Sequence, residues 1–117
     1  MKRGHRSLSA WQKSIDLVEA VYAATKSFPK EEMFGLTSQM RRAAVSVPAN
    51  IAEGAARGGT KELVYFVNIA SASLSELDTH IEIARRLGYL TDETLQKQAN
   101  DVATLVLGLL TSLKRKL

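Results

Sequence analysis

Apolar side chains recur at alternating steps of three and four residues through four successive stretches of this chain, and Phe28-Pro29, Gly58-Gly59 and Gly88 punctuate the gaps between them. Steps of three and four keep side chains on one face of an α-helix, whereas a half-buried strand needs alternation at every second residue. No stretch alternates in that way. The pattern restricts the chain to helices, each hiding an apolar stripe against its neighbours.

The expected helices cover about residues 9–26, 36–57, 60–87 and 92–116. In the first, Leu8, Trp11, Ile15, Val18, Tyr22 and Thr25 form the apolar line, and Ser9 with Gln12 has the spacing of a capping box. The second has Leu36, Met40, Ala43, Val47, Ile51 and Ala55, with Pro48 removing one backbone hydrogen bond and predicting a kink. In the third, Leu63, Phe66, Ala70, Leu74, Leu77, Ile81 and Ala84 point inward. Thr91, Asp92 and Glu93 supply an N-cap and negative charge to the fourth, and Lys114, Arg115 and Lys116 suit its C-terminal end. Short connections between long helices predict an all-α, antiparallel, up-and-down four-helix bundle occupying residues 1–117 as one domain.

Two helices carry more apolar surface than one stripe needs. Val102, Leu105, Val106, Leu107, Leu109 and Leu110 point in nearly every direction around the fourth axis, and Leu17, Val21 and Ala24 flank the main line of the first. An uncovered apolar patch is unfavourable in water, so this surplus predicts a homo-oligomer. The alternative is a bundle tight enough to cover both faces.

The chain has no cysteine, which excludes disulfides and thiolate metal sites and fits a reducing, cytoplasmic setting. The basic N-terminal residues lack an apolar run behind them, and Val102–Leu110 is far shorter than the roughly 20 residues of a membrane span, so no membrane role is expected. The only histidines, His5 in a tail expected to be flexible and His80 in the third helix, have no second histidine at helical spacing. No metal or other cofactor is therefore expected, and the pair His80–Glu76 reads as a surface contact. Neither a Gly-rich phosphate loop after a strand nor a nucleophile with its base is present, which argues against an enzyme.

Two sets of residues stand out. Gln39, Arg42, Ser46, Asn50 and Glu53 make a polar line beside the apolar one in the second helix, and Asn68, Ser71, Ser75 and Glu82 make another in the third. Gln39, Ser46, Asn50, Glu53 and Ser75 read as a structural hydrogen-bond network between these helices, with a ligand site as the alternative. The small residues Ser71, Ala72, Ser73 and Ser75 allow close helix approach.

The second set is basic, within a formal net charge of +4. Arg41, Arg42, Arg57, Lys61, Lys114, Arg115 and Lys116 can neutralise phosphates without reading sequence, and ordinary solvated charge is the competing reading for each. Aromatic residues make up 6% of the chain and fall mostly on inward lines, which speaks against platforms for stacking single-stranded bases.

The run from Phe28-Pro29-Lys30-Glu31-Glu32 through Gly35-Leu36-Thr37-Ser38-Gln39-Met40-Arg41-Arg42, and then Pro48-Ala49-Asn50-Ile51-Ala52-Glu53-Gly54, resembles the four-helix bundle proteins encoded in intervening sequences of 23S ribosomal RNA genes, also labelled S23 ribosomal proteins. Trp11-Gln12-Lys13, Leu74-Ser75-Glu76-Leu77 and Leu87-Gly88-Tyr89-Leu90 extend the resemblance across nearly the whole chain. It departs from the usual pattern at Pro48 and at Met33, where an arginine is usual. The resemblance implies a homopentamer. It also extends to accessory proteins of diversity-generating retroelements, which implies RNA or DNA, and a reverse transcriptase in that subgroup, as partners. The expectation is a non-enzymatic oligomer that binds nucleic acid through a basic surface. The alternative is a protein-interaction scaffold.

Overall fold

The computed structural model describes Gly4–Leu117; Met1–Arg3, where the predicted domain begins, lie outside the described residues. Four helices account for most of it: α1 (Ser9–Thr25), α2 (Leu36–Ala56), α3 (Thr60–Arg86) and α4 (Thr94–Lys114), with single 3-10 turns at Gly4–Ser7 and Lys30–Glu32. Each helix packs against its neighbours in the cycle α1–α2–α3–α4, and the backbones of the diagonal pairs stay apart. This is an all-α up-and-down four-helix bundle, 44 × 26 × 19 Å. Among the described residues, no helix is long and apolar enough to cross a membrane.

The glycines end the helices as their backbone freedom requires. Gly88 has φ +83° and closes α3 with the amide of Tyr89 donating to Ala84 and its own amide to Arg85, the double bond of a Schellman stop. Gly58, also at φ +83°, turns the chain from α2 into α3. The expected Ser9–Gln12 capping box does not form: Leu8 occupies the cap of α1, and Gln12 Nε2 donates instead to the Arg6 carbonyl at 2.7 Å. Gln12 is drawn away because the turn Gly4–Ser7 folds back over the start of α1, bringing the Arg6 carbonyl within reach. At α4, Asp92 Oδ1 accepts from the Thr94 amide at 3.0 Å, so the helix begins at Thr94 and not at residue 92.

The face that α1 turns inward is not its longest apolar line. Ala10, Ser14, Leu17, Val21 and Thr25 are buried, while Trp11, Ile15 and Val18 are half-buried and Tyr22 is exposed. Small residues at 10 and 14 let α1 approach the axis, and Ser14 and Thr25 satisfy their hydroxyls on the carbonyls of Trp11 and Val21. The larger line lies along the α1–α2 margin, where Arg41 covers Tyr22 and His5 and Arg6 cover Trp11. The same rotation occurs at the start of α3, where Val64 and Val67 are buried and Leu63 and Phe66 are half-buried.

Most of the apolar surplus of α4 is covered within one chain. Val102, Val106 and Leu110 are buried, Leu105 and Leu109 are half-buried, and Leu107 alone of the group remains exposed. A four-fold packing encloses more of each helix circumference than one stripe, which is why counting apolar directions overestimates what is left outside.

At the end of the rod holding the α1–α2 and α3–α4 connections, Glu32 joins both. Its Oε1 accepts from the Leu36 amide at 3.1 Å and its Oε2 from the Tyr89 hydroxyl at 3.0 Å, while the rings of Phe28 and Tyr89 lie 5.2 Å apart. The bond to the Glu32 carboxylate, with a smaller contribution from burial, holds the Tyr89 hydroxyl above the usual tyrosine range.

Helices α2 and α3 approach each other closely at Gly54. A Cβ at Gly54 would lie 2.9 Å from Phe66 Cβ and 3.2 Å from Leu63 Cα, too near for either to yield cheaply. Gly54→Ala gains up to about 1 kcal/mol of helix propensity, but overpacking of this kind costs about 1–3 kcal/mol. The expected outcome is a lower urea midpoint at unchanged slope. A higher midpoint would mean that the two helices can separate without loss.

Candidate nucleic-acid interface

The topology collects most of the predicted basic residues at one end of the rod. The α2–α3 turn presents Arg57 and Lys61, and the last turn of α4 brings Lys114, Arg115 and Lys116 to the same end. All five are exposed. Arg57 is held by Glu53, with Nη2 3.2 Å from Oε2, and its guanidinium lies 5.1 Å from the Phe66 ring centroid. Lys61, Lys114, Arg115 and Lys116 make no ion pair among the described residues.

Arg6 belongs here too. Its guanidinium sits 5.2 Å from the Trp11 ring, and His5 meets the same ring edge-on at 5.0 Å. By sequence, the adjacent His5 lies in a tail expected to be flexible. The apolar ring of Trp11, uncovered at the α1 margin, is what seats that segment.

The opposite end is different. Glu31, Glu32, Asp92 and Glu93 cluster there, and the arginines are tied down: Arg85 and Arg86 reach Glu82 at 3.1 and 2.8 Å. The hydrogen bond from Arg86, aided by the field of Arg85, holds the Glu82 carboxyl below the usual range. Lys26 and Lys30 share this end with those carboxylates but form no ion pair among the described residues. The bundle is therefore polarised along its length, with unneutralised positive charge at the α2–α3 turn and the α4 terminus.

Arg41 and Arg42 do not join that end. They precede Arg57 by about four turns of α2, a separation of roughly 22 Å. Arg41 points into the α1–α2 seam, where Nε donates to Thr25 Oγ1 at 2.9 Å and the guanidinium covers the Tyr22 ring at 4.6 Å. These contacts give Arg41 a packing role. Arg42 is exposed and opens on a polar cleft of about 370 Å³ between α2 and α3, shared with Gln39, Ser46, Ser73 and Glu76.

Of the predicted polar network, the structure joins Ser46 and Asn50. Ser46 Oγ lies 2.8 Å from Ser73 Oγ across the helix pair, and Asn50 Nδ2 donates to both Oγ and the carbonyl of Ser46. Ser73, the crossing partner, was legible only as a small residue. Gln39 and Glu53 are exposed, with Glu53 engaged by Arg57, and Ser75 faces the α4 side, where its carbonyl accepts from Thr79. Gln39 lines the same cleft as Ser46 and Ser73 without bonding to them, Glu53 is drawn to Arg57, and Ser75 lies on the other flank of α3.

His80 is buried, contrary to the surface contact expected of it. Nε2 lies 3.5 Å from Glu76 Oε2, and Nδ1 has no hydrogen-bond partner. Its position between the inward residues Leu77 and Ala84 carries the ring to the buried side of α3 while Glu76 stays in water. Among the described residues, no group of three or more His, Asp or Glu side chains could hold a metal ion.

The model of a known family, described as 23S rRNA-intervening sequence protein, matches residues 6–110. No curated protein matches the chain. Among solved structures, the chain is similar to a protein of unknown function from the S23 ribosomal protein family of Bacteroides thetaiotaomicron, with a TM-score of 0.76 and 20% identity over 86% of this chain and 97% of the other. At that identity the likeness speaks to the fold.

The two adjacent arginines should separate in a stability measurement. Arg41→Ala loses a charged hydrogen bond and a ring contact at a half-buried site and is expected to cost about 1 kcal/mol, whereas Arg42→Ala should stay within about 0.5 kcal/mol. Equal urea midpoints for the two variants would contradict this assignment.

Proposed function

The chain belongs to the 23S rRNA-intervening sequence protein family, and from that premise we propose that it is a non-enzymatic protein that binds nucleic acid through backbone phosphates at its basic end. The observation that carries this reading is the charge polarity of the rod. Lys61, Lys114, Arg115 and Lys116 stand free at one end, while Arg85 and Arg86 at the other are engaged by Glu82. Free cations gathered on one surface attract a polyanion and release its counterions, without any need for base-specific contacts.

Self-association is part of the same proposal. A ring of copies, five by the family resemblance, would repeat the basic end around an axis and multiply weak phosphate contacts by avidity. A groove of about 460 Å³ between α1 and α4, with Val102 and Leu105 at its floor and Lys13, Asp16 and Asp101 at its rim, is where a second copy would seat. A second reading, a protein-interaction scaffold, draws on Phe34, which is 98% exposed beside exposed Met33 at the opposite end. An unburied aromatic of that kind is a ready anchor for a protein pocket.

Native mass spectrometry with and without RNA, together with a salt titration, tests the proposal. The expected results are an oligomer carrying bound RNA and an affinity that falls steeply with salt. Combining Lys114→Gln, Arg115→Gln and Lys116→Gln should lower the salt slope by about 2–3 while leaving the oligomer intact. An unchanged slope would remove α4's terminus from the interface, and no binding at low salt would overturn the reading.

A further inference from the structure

We propose that the nucleic acid taken at this end is single-stranded, and that one of its bases stacks on the ring of Tyr65; this rests on the phosphate-binding reading above. Tyr65 lies early in α3, one helical turn beyond Lys61, and is 62% exposed. Residues four apart share a helix face, so the ring and the free ammonium project side by side.

The ring is also firmly seated. Its partner is Phe66, met edge-to-face with centroids 5.1 Å apart and planes at 87°. Phe66 is fixed in turn, packed over Gly54 on one side and covered by the Arg57 guanidinium on the other, with Arg57 held by Glu53. An exposed aromatic braced by a fixed one loses little freedom when a flat group settles on it.

The choice of single strand over duplex follows from what that ring can meet. In a duplex the base faces are stacked on one another and closed to a side chain. A single strand offers a face at every nucleotide, and stacking on it tolerates any base. Lys61 stands where the phosphate beside a stacked base would need neutralising. Two carboxylates temper the attraction: Glu53 is spent on Arg57, while Glu62, exposed in the first turn of α3, opposes the strand.

Fluorescence-anisotropy titrations of a short single-stranded RNA and of its duplex, at low salt, test this with the full chain. Tyr65→Ala and Tyr65→Gln should each weaken single-strand binding by at least about five-fold, since stacking on an aromatic ring is generally worth that much per base. Duplex binding should be unchanged, and Tyr65→Trp should restore the single-strand affinity. If both forms bind the wild type and the Tyr65 variants alter neither or both alike, the stacking inference is overturned and the phosphate reading stands. If the wild type binds neither form, the reading beneath it falls as well. Tyr65 is exposed, so circular dichroism of each variant should match the wild type.

Discussion

The close contact between α2 and α3 is the constraint on which the rest of the molecule depends. Gly54 removes the side chain that would hold the helices apart, Ser46 and Ser73 bridge them, and Asn50 fixes the Ser46 hydroxyl from one turn away. Gly54 and Asn50 belong to the Asn50-Ile51-Ala52-Glu53-Gly54 run, in which Ile51 is fully buried and Glu53 faces out to Arg57. The run reads as a packing device: one face for the core, one residue for closeness, one for the turn that follows. Because the helices meet so closely at this point, Phe66 comes under Arg57, and Lys61 and Tyr65, just before it in α3, face outward.

Charge then divides along the rod. Exposed ion pairs contribute little stability individually, so the pairing of Arg85 and Arg86 with Glu82 matters less for folding than for what it leaves free elsewhere. The cations at the α2–α3 turn and at the end of α4 outnumber the carboxylates beside them, Glu53 and Glu62. A net charge of +4 spread evenly would be unremarkable for a soluble protein. Gathered at one end of a 44 Å rod, it defines a surface.

Helix number and boundaries were legible because glycine and proline act locally: Gly58 and Gly88 need only their own backbone angles to stop a helix, and Pro29 only its ring. The inward face of α1 was not legible in the same way. Two apolar lines lie about 100° apart on it, and periodicity cannot say that Ala10 and Ser14 win the axis because they are small. Nor could spacing separate Arg41 from Arg42, since Tyr22 and Thr25, which engage the first, sit sixteen or more residues earlier. The surplus on α4 was overcounted for a related reason, because coverage depends on two flanking helices at once. Tyr65 was not legible as a contact, because the scarcity of aromatic residues says nothing about the exposure of one of them.

Photochemical cross-linking of the protein to a short single-stranded RNA at low salt, with the linked peptides identified by mass spectrometry, tests the central claim most directly. The account predicts cross-links in peptides spanning Arg57–Phe66 and Lys114–Leu117, and none from the connections around Glu32 and Tyr89. Cross-links concentrated at that opposite end, or along the α1–α4 groove, would contradict it.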